Sequence, residues 1–141
     1  MIKILLALCI LQHTNAILKI NLEEVFICTI QPVWEFSVDY VEDDWFVVIN
    51  IDDDVHHTGT VYVQGTTSKI SRVFPISGGD GPLDNYYELK AVVTHSCTDT
   101  GEDSKLSIIY AIVGVMEKSV NLKLEQVLNS KCVSGLICWQ Y

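Results

Sequence analysis

An all-β fold, a single antiparallel β-sandwich or closed β-barrel of about eight to nine strands, follows from three features of the sequence. Apolar and polar residues alternate over long stretches, and turn-forming clusters interrupt the alternation at short intervals. No 3.6-residue apolar period persists long enough to demand a helix, although Asn121 to Asn129 could form a short one after a tight turn.

The first sixteen residues belong outside that fold. Met1-Ile2-Lys3 gives a short positive start, Ile4 to Leu11 is an unbroken apolar run, and Gln12 to Ala16 is a polar tail. Thr14 and Ala16 are the small residues expected just before a cleavage point preceding Ile17. This is the layout of a secretory signal peptide (1–16), with an apolar core too short to span a bilayer. The longest later apolar run, Ile108 to Met116, contains Gly114 and fits a buried strand, so no membrane span is expected. The remaining 17–141 is of a size for one domain with one core.

Strands are expected at about 17–23, 25–30, 33–41, 45–51, 58–64, 69–76, 86–97, 105–115 and 119–127, with a short closing strand through Cys138. Leu18, Ile20 and Leu22 mark the first by alternation. Trp34, Phe36, Val38 and Tyr40 alternate with Glu35, Ser37 and Asp39, which puts four apolar side chains on one face. Tyr87, Leu89, Ala91 and Val93 repeat the pattern, as do Val120, Leu122 and Leu124. Trp45 to Ile51 and Leu106 to Val115 are almost continuously apolar and β-branched, and read as central strands covered on both faces. Glu42-Asp43-Asp44, Asp52-Asp53-Asp54, Gly65-Thr66-Thr67, 77–85 and 98–103 supply the turns.

Loss of the leader removes Cys9 and leaves Cys28, Cys97, Cys132 and Cys138. In an oxidising compartment four cysteines predict two disulfides. Cys28–Cys97 with Cys132–Cys138 is the favoured pairing, because Ser134-Gly135 lets the chain turn back between the last two. A zinc site is the rival use, but no Cys-x-x-Cys pair or histidine at finger spacing supports it. The Cys28…Trp45…Cys97 spacing resembles an immunoglobulin core in outline, without the lead-in residues that precede the second cysteine there. Leu136-Ile137-Cys138-Trp139 is similar to the closing strand of secreted lipid-recognition domains, which carry more cysteines. No functional residue is carried over from either family.

Charge is the most informative feature. Without Lys3 the chain has 8 basic residues against 18 acidic ones. A nucleic-acid partner is therefore excluded from the expected functions, since phosphate binding needs a positive field. The asymmetry is also local. Between Lys19 and Lys69 there are ten acids and no Lys or Arg, whereas 69–141 holds 8 acids and 7 bases. Glu35, Asp39, Glu42, Asp43, Asp44, Asp52, Asp53 and Asp54 would gather on and around one hairpin. Such a surface attracts a basic secreted protein or peptide, a chemokine or cationic peptide for instance, or a small amine, and speeds its encounter. Solubility and protection of sheet edges are the plainer explanation of charged turns.

Other chemistry is poorly supported. Tyr40 lies in the acidic setting that favours tyrosine sulfation, but alternation turns it inward with Trp34, Phe36 and Val38. Asp52 to His57 is the best metal candidate, with carboxylates for Ca²⁺ and imidazoles for Zn²⁺ or Cu²⁺. Neighbouring strand residues point to opposite sides, so a solvated turn is the expected reading. Gly78 to Asn85 reads as a flexible turn, with no lysine placed for phosphate. No nucleophile elbow or zinc-protease motif occurs, paired cysteines offer no thiolate, and His95 shares the Tyr87–Val93 face as a hydrogen-bonded core or barrel-mouth histidine. No enzyme activity, metal or cofactor is expected. The alternative function is carriage of a small hydrophobic ligand or lipid in a cavity lined by Trp34, Phe36, Tyr40, Trp45, Tyr110 and Trp139. The plain counter-reading is that these aromatics fill the core.

Overall fold

The computed structural model describes residues 17–46, 49–77, 86–114, 118–129 and 138–140, with side chains described for 18–42, 54–76, 87–110, 114 and 118–129. The expected signal peptide, the 78–85 turn and Cys132 lie outside the described residues. Among the described residues nine strands run in chain order: β1 (Ile17–Ile27), β2 (Val33–Phe46), β3 (Ile49–His57), β4 (Val61–Gln64), β5 (Thr67–Ser77), β6 (Tyr86–His95), β7 (Ser104–Gly114), β8 (Ser119–Val127) and β9 (Cys138–Gln140). They form a three-stranded sheet, β5-β1-β8, and a six-stranded sheet, β3-β2-β6-β7-β9, in which β4 also pairs with β2.

The two sheets pack as a sandwich and are not closed into a barrel. The chain crosses between them repeatedly, since β1, β5 and β8 lie in one layer and the strands between them in the other. All pairings are antiparallel except β1 with β8. Asn121 to Val127 is strand rather than helix, because Leu124 and Gln126 are buried with period two beside β1.

Inward stripes from the two layers make one core. β1 contributes Leu18, Ile20, Leu22 and Phe26, with Cys28 just beyond its end, β2 contributes Trp34, Phe36, Val38 and Tyr40, and β6 contributes Tyr87, Leu89, Ala91 and Val93. Burying each large apolar side chain stabilises the fold by about 1.5–3 kcal/mol. Phe36 is the hub, with its ring centroid 4.9 Å from Phe26 and 5.3 Å from Trp34. Trp34 Nε1 donates to the Gly65 carbonyl at 2.8 Å, so the indole is buried without an unpaired N–H. Gly65, at φ 109°, makes the step from β4 towards β5 that places this carbonyl.

Three strand expectations are corrected. The first two predicted strands are one, β1. Glu24 breaks the apolar stripe in the sequence, but it keeps the inward position and is fully buried, so the strand continues through it. The second correction concerns Glu42-Asp43-Asp44 and Asp52-Asp53-Asp54, which are strand rather than turn. β2 extends through Phe46, and β3 pairs back on it from Ile49 to His57. Hairpin pairing carries these acids beyond the point where their turn propensity would end a strand. The third is the expected central strand 45–51, which divides between the end of β2 and the start of β3, an edge strand.

Cys28 and Cys97 form a disulfide, S–S 2.01 Å, that ties the end of β1 to the chain just beyond β6 and so joins the two sheets. The second predicted pair lies outside the described side chains.

Two bulges set the geometry around Glu24. Between β2 and β3 the register shifts at Tyr40/Val41, leaving Val55 as the extra residue, and between β6 and β7 it shifts at Leu89/Lys90, leaving Tyr110 extra. A bulge bends a strand and re-aims its side chains. Tyr40 and Tyr110, on the six-stranded sheet, both donate their hydroxyls to the Glu24 carboxylate, on the three-stranded sheet. The sandwich thus has a polar tie through its centre.

Burial pushes the Glu24 carboxyl above its usual range, against the opposing pull of the two tyrosine bonds and Arg72. Burial and the adjoining carboxylate likewise push both phenols well up. For a carboxyl raised in the folded state, stability is fully present below the unfolded value of ~4.3. As pH rises from there through the folded value, the unfolded chain ionises first and stability is lost. Denaturant melts across pH 4 to 8 are expected to show wild type losing stability relative to Glu24→Gln as pH rises. Parallel profiles for the two proteins would contradict this account of Glu24.

Candidate functional site

Alternation along β2 puts Glu35, Ser37 and Asp39 on the outer face of the six-stranded sheet, where all three are partly exposed. Glu35 pairs in register with the exposed Tyr62 of β4, and Asp39 lies between His57 of β3 and Val92 of β6. Thr58 fixes this end of β3 on β2 by accepting from Val38 N at 2.9 Å through its hydroxyl and donating its own N–H back to the Val38 carbonyl at 3.0 Å.

Asp39, Asp54, Val55, His56 and His57 line a cleft of about 380 Å³ at this edge. The Asp39 carboxylate contacts His57 Nδ1, and both side chains remain about half exposed. His56 is held differently. Its ring stacks on Phe74 of the other sheet at 5.3 Å and 13°, and on Tyr40 at 6.1 Å. It therefore closes the floor of the cleft over the Tyr40–Glu24 tie. Among the described residues no three ligating side chains converge on a point suited to a metal ion.

The remaining acids lie further along the same hairpin. Asp43 pairs with Asp52, Glu42 with Asp53, Val41 with Asp54 and Asp44 with Ile51. Like-charged residues thus occupy facing positions at two successive rungs, an arrangement that destabilises a hairpin. Glu42 is buried, 4% exposed, so its carboxylate is not presented on the surface as Asp54 is. The side chains of Asp43, Asp44, Asp52 and Asp53 lie outside the described ones.

Charge divides between the two layers. Strands of the six-stranded sheet carry nine acidic residues (Glu35, Asp39, Glu42–Asp44, Asp52–Asp54 and Glu88) against two basic ones, Lys90 and Lys105. Strands of the three-stranded sheet carry three acids, Glu23, Glu24 and Glu125, against four bases, Lys19, Lys69, Arg72 and Lys123. Glu24 is buried. Glu23 is spent locally: Lys69 Nζ lies at 2.7 Å and Lys123 Nζ at 3.9 Å, and the Lys69 hydrogen bond leads the lysines in holding its carboxyl below the usual range. Three of the seven cations of the second half of the sequence, Lys69, Arg72 and Lys123, thus lie on strands of the opposite layer. Lys90, opposite Val41 in register, is the cation on a strand beside them.

Three of the six aromatics proposed to line a ligand cavity are packed in the core. Trp34, Phe36 and Tyr40 are each no more than 2% exposed, and Tyr40 sits 5.1 Å from Phe74 and 6.5 Å from Tyr110 between ring centroids. Trp45 and Trp139 fall outside the described side chains. The inward Tyr40 hydroxyl, bonded to Glu24, is not accessible for sulfation. Sequence reasoning missed Glu24, whose signal was its inward parity between Leu22 and Phe26, and missed the part His56 plays.

No family model, curated protein or solved structure matches this chain.

Proposed function

We propose that the chain is a secreted, non-enzymatic binding protein whose acidic β2–β3 face captures a basic extracellular protein or peptide, chemokine-like in charge. The observation that carries this reading is the division of charge between the layers, nine acids to two bases on one and three to four on the other. A one-sided field steers a cationic partner and orients it on arrival, which an evenly acidic surface does not. Facing acids at the Asp43–Asp52 rung cost stability, and a basic partner seated over the hairpin would relieve that cost. Export is supported by the signal-like first sixteen residues and by the disulfide.

Passing secreted cationic and anionic proteins over the immobilised chain at ~0.1 M and ~1 M salt tests the reading, because the screening length falls from about 10 to about 3 Å. Saturable retention of one or more cationic proteins, weakened at the higher salt, is expected. Retention indifferent to charge and salt would overturn the reading.

A further inference from the structure

A second cleft lies at the other end of β2 from the acidic hairpin, and His95 is one of the residues that line it. His95 ends β6, opposite Phe36 on one side and Ser104 on the other. The ring is 2% exposed, yet among the described residues neither of its nitrogens has a hydrogen-bond partner. The expectation of a hydrogen-bonded histidine is thus not met. A neutral imidazole offers one donor and one acceptor, and a buried polar atom left unmatched is costly. The ring lines a cleft of about 210 Å³ together with Ile30, Thr98, Asp99, Ser104 and Leu128.

The surroundings are braced. Cys97 is joined to Cys28, Ser96 exchanges hydrogen bonds with the Glu35 backbone at 3.0 Å, and Gln31 Nε2 donates to the Thr98 carbonyl at 2.8 Å. Thr98 Oγ1 spends its hydrogen on the Glu102 carbonyl at 2.8 Å, so the hydroxyl oxygen is left as an acceptor. Burial lowers the His95 pKa against the pull of Asp103, which keeps the ring neutral and one of its nitrogens an acceptor too. The one acceptor nitrogen of His95, the Thr98 hydroxyl oxygen and the Asp99 carboxylate, set beside the apolar Ile30 and Leu128, suit a ligand with a cationic donor head and a short apolar tail.

We infer that this cleft binds a primary alkylammonium group, its N–H donating to the His95 ring, its charge balanced by Asp99 and its alkyl chain lying on Ile30 and Leu128. The group could belong to a free small amine or to a lysine side chain. The inference stands apart from the hairpin reading, because it uses none of those acids.

The test follows the His95 ring signals by NMR near neutral pH during titration with n-butylamine, with n-butanol and butyrate as neutral and anionic controls. A saturable shift with the amine is expected, at a dissociation constant on the order of 1 mM for so few heavy atoms. Butanol and butyrate are expected to bind at least ~10-fold more weakly, and Asp99→Asn to weaken the amine ~5-fold or more. Asp99 is exposed, so that variant reads binding even if His95→Phe fails to fold. Nα-acetyl-lysine methylamide separates the sources: binding equal to butylamine assigns the cleft to lysine side chains, and binding of butylamine alone assigns it to free amines. Equal binding of all three small probes, or no saturable shift below ~50 mM, would overturn the proposal. Such a failure would leave the salt-dependent capture assay at the opposite end of β2 unaffected.

Discussion

Replacing Cys28 and Cys97 together by alanine is expected to lower the unfolding free energy by ~4 kcal/mol. The bridge spans 69 residues, from the end of β1 to the chain beyond β6, and that segment contains all of β2 to β6. Without the bridge the unfolded ensemble regains the freedom of a long loop, while both cysteine positions stay buried and alanine leaves only a small gap. The bond also joins the two layers, so its loss is expected to loosen their packing at this end of the sandwich. Equilibrium denaturation of the double variant and wild type, both without reductant, measures the difference. A loss below ~1 kcal/mol would mean that the contacts around Trp34, Phe26 and Phe36 hold this end unaided.

Removing the hydroxyls of Tyr40 and Tyr110 together, as Tyr40→Phe with Tyr110→Phe, is expected to cost about 3 kcal/mol. The rings stay and the packing changes little, but the Glu24 carboxyl is left in the centre of the sandwich without its two donors. The magnitude is large because the group is fully buried and its desolvation is no longer offset. Adding Glu24→Leu to the double variant is expected to recover most of the loss, since an apolar side chain at that position completes the stripe of Leu22 and Phe26. Thermal melts of the three proteins near neutral pH decide the matter. A triple variant no more stable than the double one would mean that the tyrosine hydroxyls act through something other than Glu24.

What the sequence made legible is its period. The faces of β2 and β6 follow from alternation, and the inward placement of Tyr40 follows from the same rule. Glu24 was not legible as core, because a carboxylate inside a stripe is satisfied only by partners that tertiary structure delivers, here Tyr110 from 86 residues away. The hairpin acids were misread as turns for a related reason. Asp and Glu favour turns on local grounds, and cross-strand pairing with β3 overrides that preference. The Cys28–Cys97 bridge was favoured among three possible pairings because Ser134-Gly135 suits a turn between the other two cysteines. Which cations would neutralise which acids was not, because the separation of Lys69, Arg72 and Lys123 from the hairpin depends on which strands share a sheet. His95 was visible as a residue on an inward face, but nothing local told that it would lack a hydrogen-bond partner among the described residues.

The central claim is that local charge on the β2–β3 hairpin, rather than the net charge of the chain, captures a basic partner. Two variants with the same net charge separate these: Asp43→Asn, Asp44→Asn, Asp52→Asn and Asp53→Asn together, and Glu23→Gln, Glu102→Gln, Asp103→Asn and Glu125→Gln together, which lie on the opposite layer or in the turn before β7. Association rates with a captured cationic protein, measured at several salt concentrations, are expected to fall by ~10-fold or more at low salt in the hairpin variant and to lose most of their salt dependence. The hairpin variant is expected to melt at or slightly above the wild-type temperature, because facing carboxylates are removed. The second variant is expected to associate nearly as wild type does. Equal slowing in both variants, or wild-type kinetics in the hairpin variant, would contradict the account.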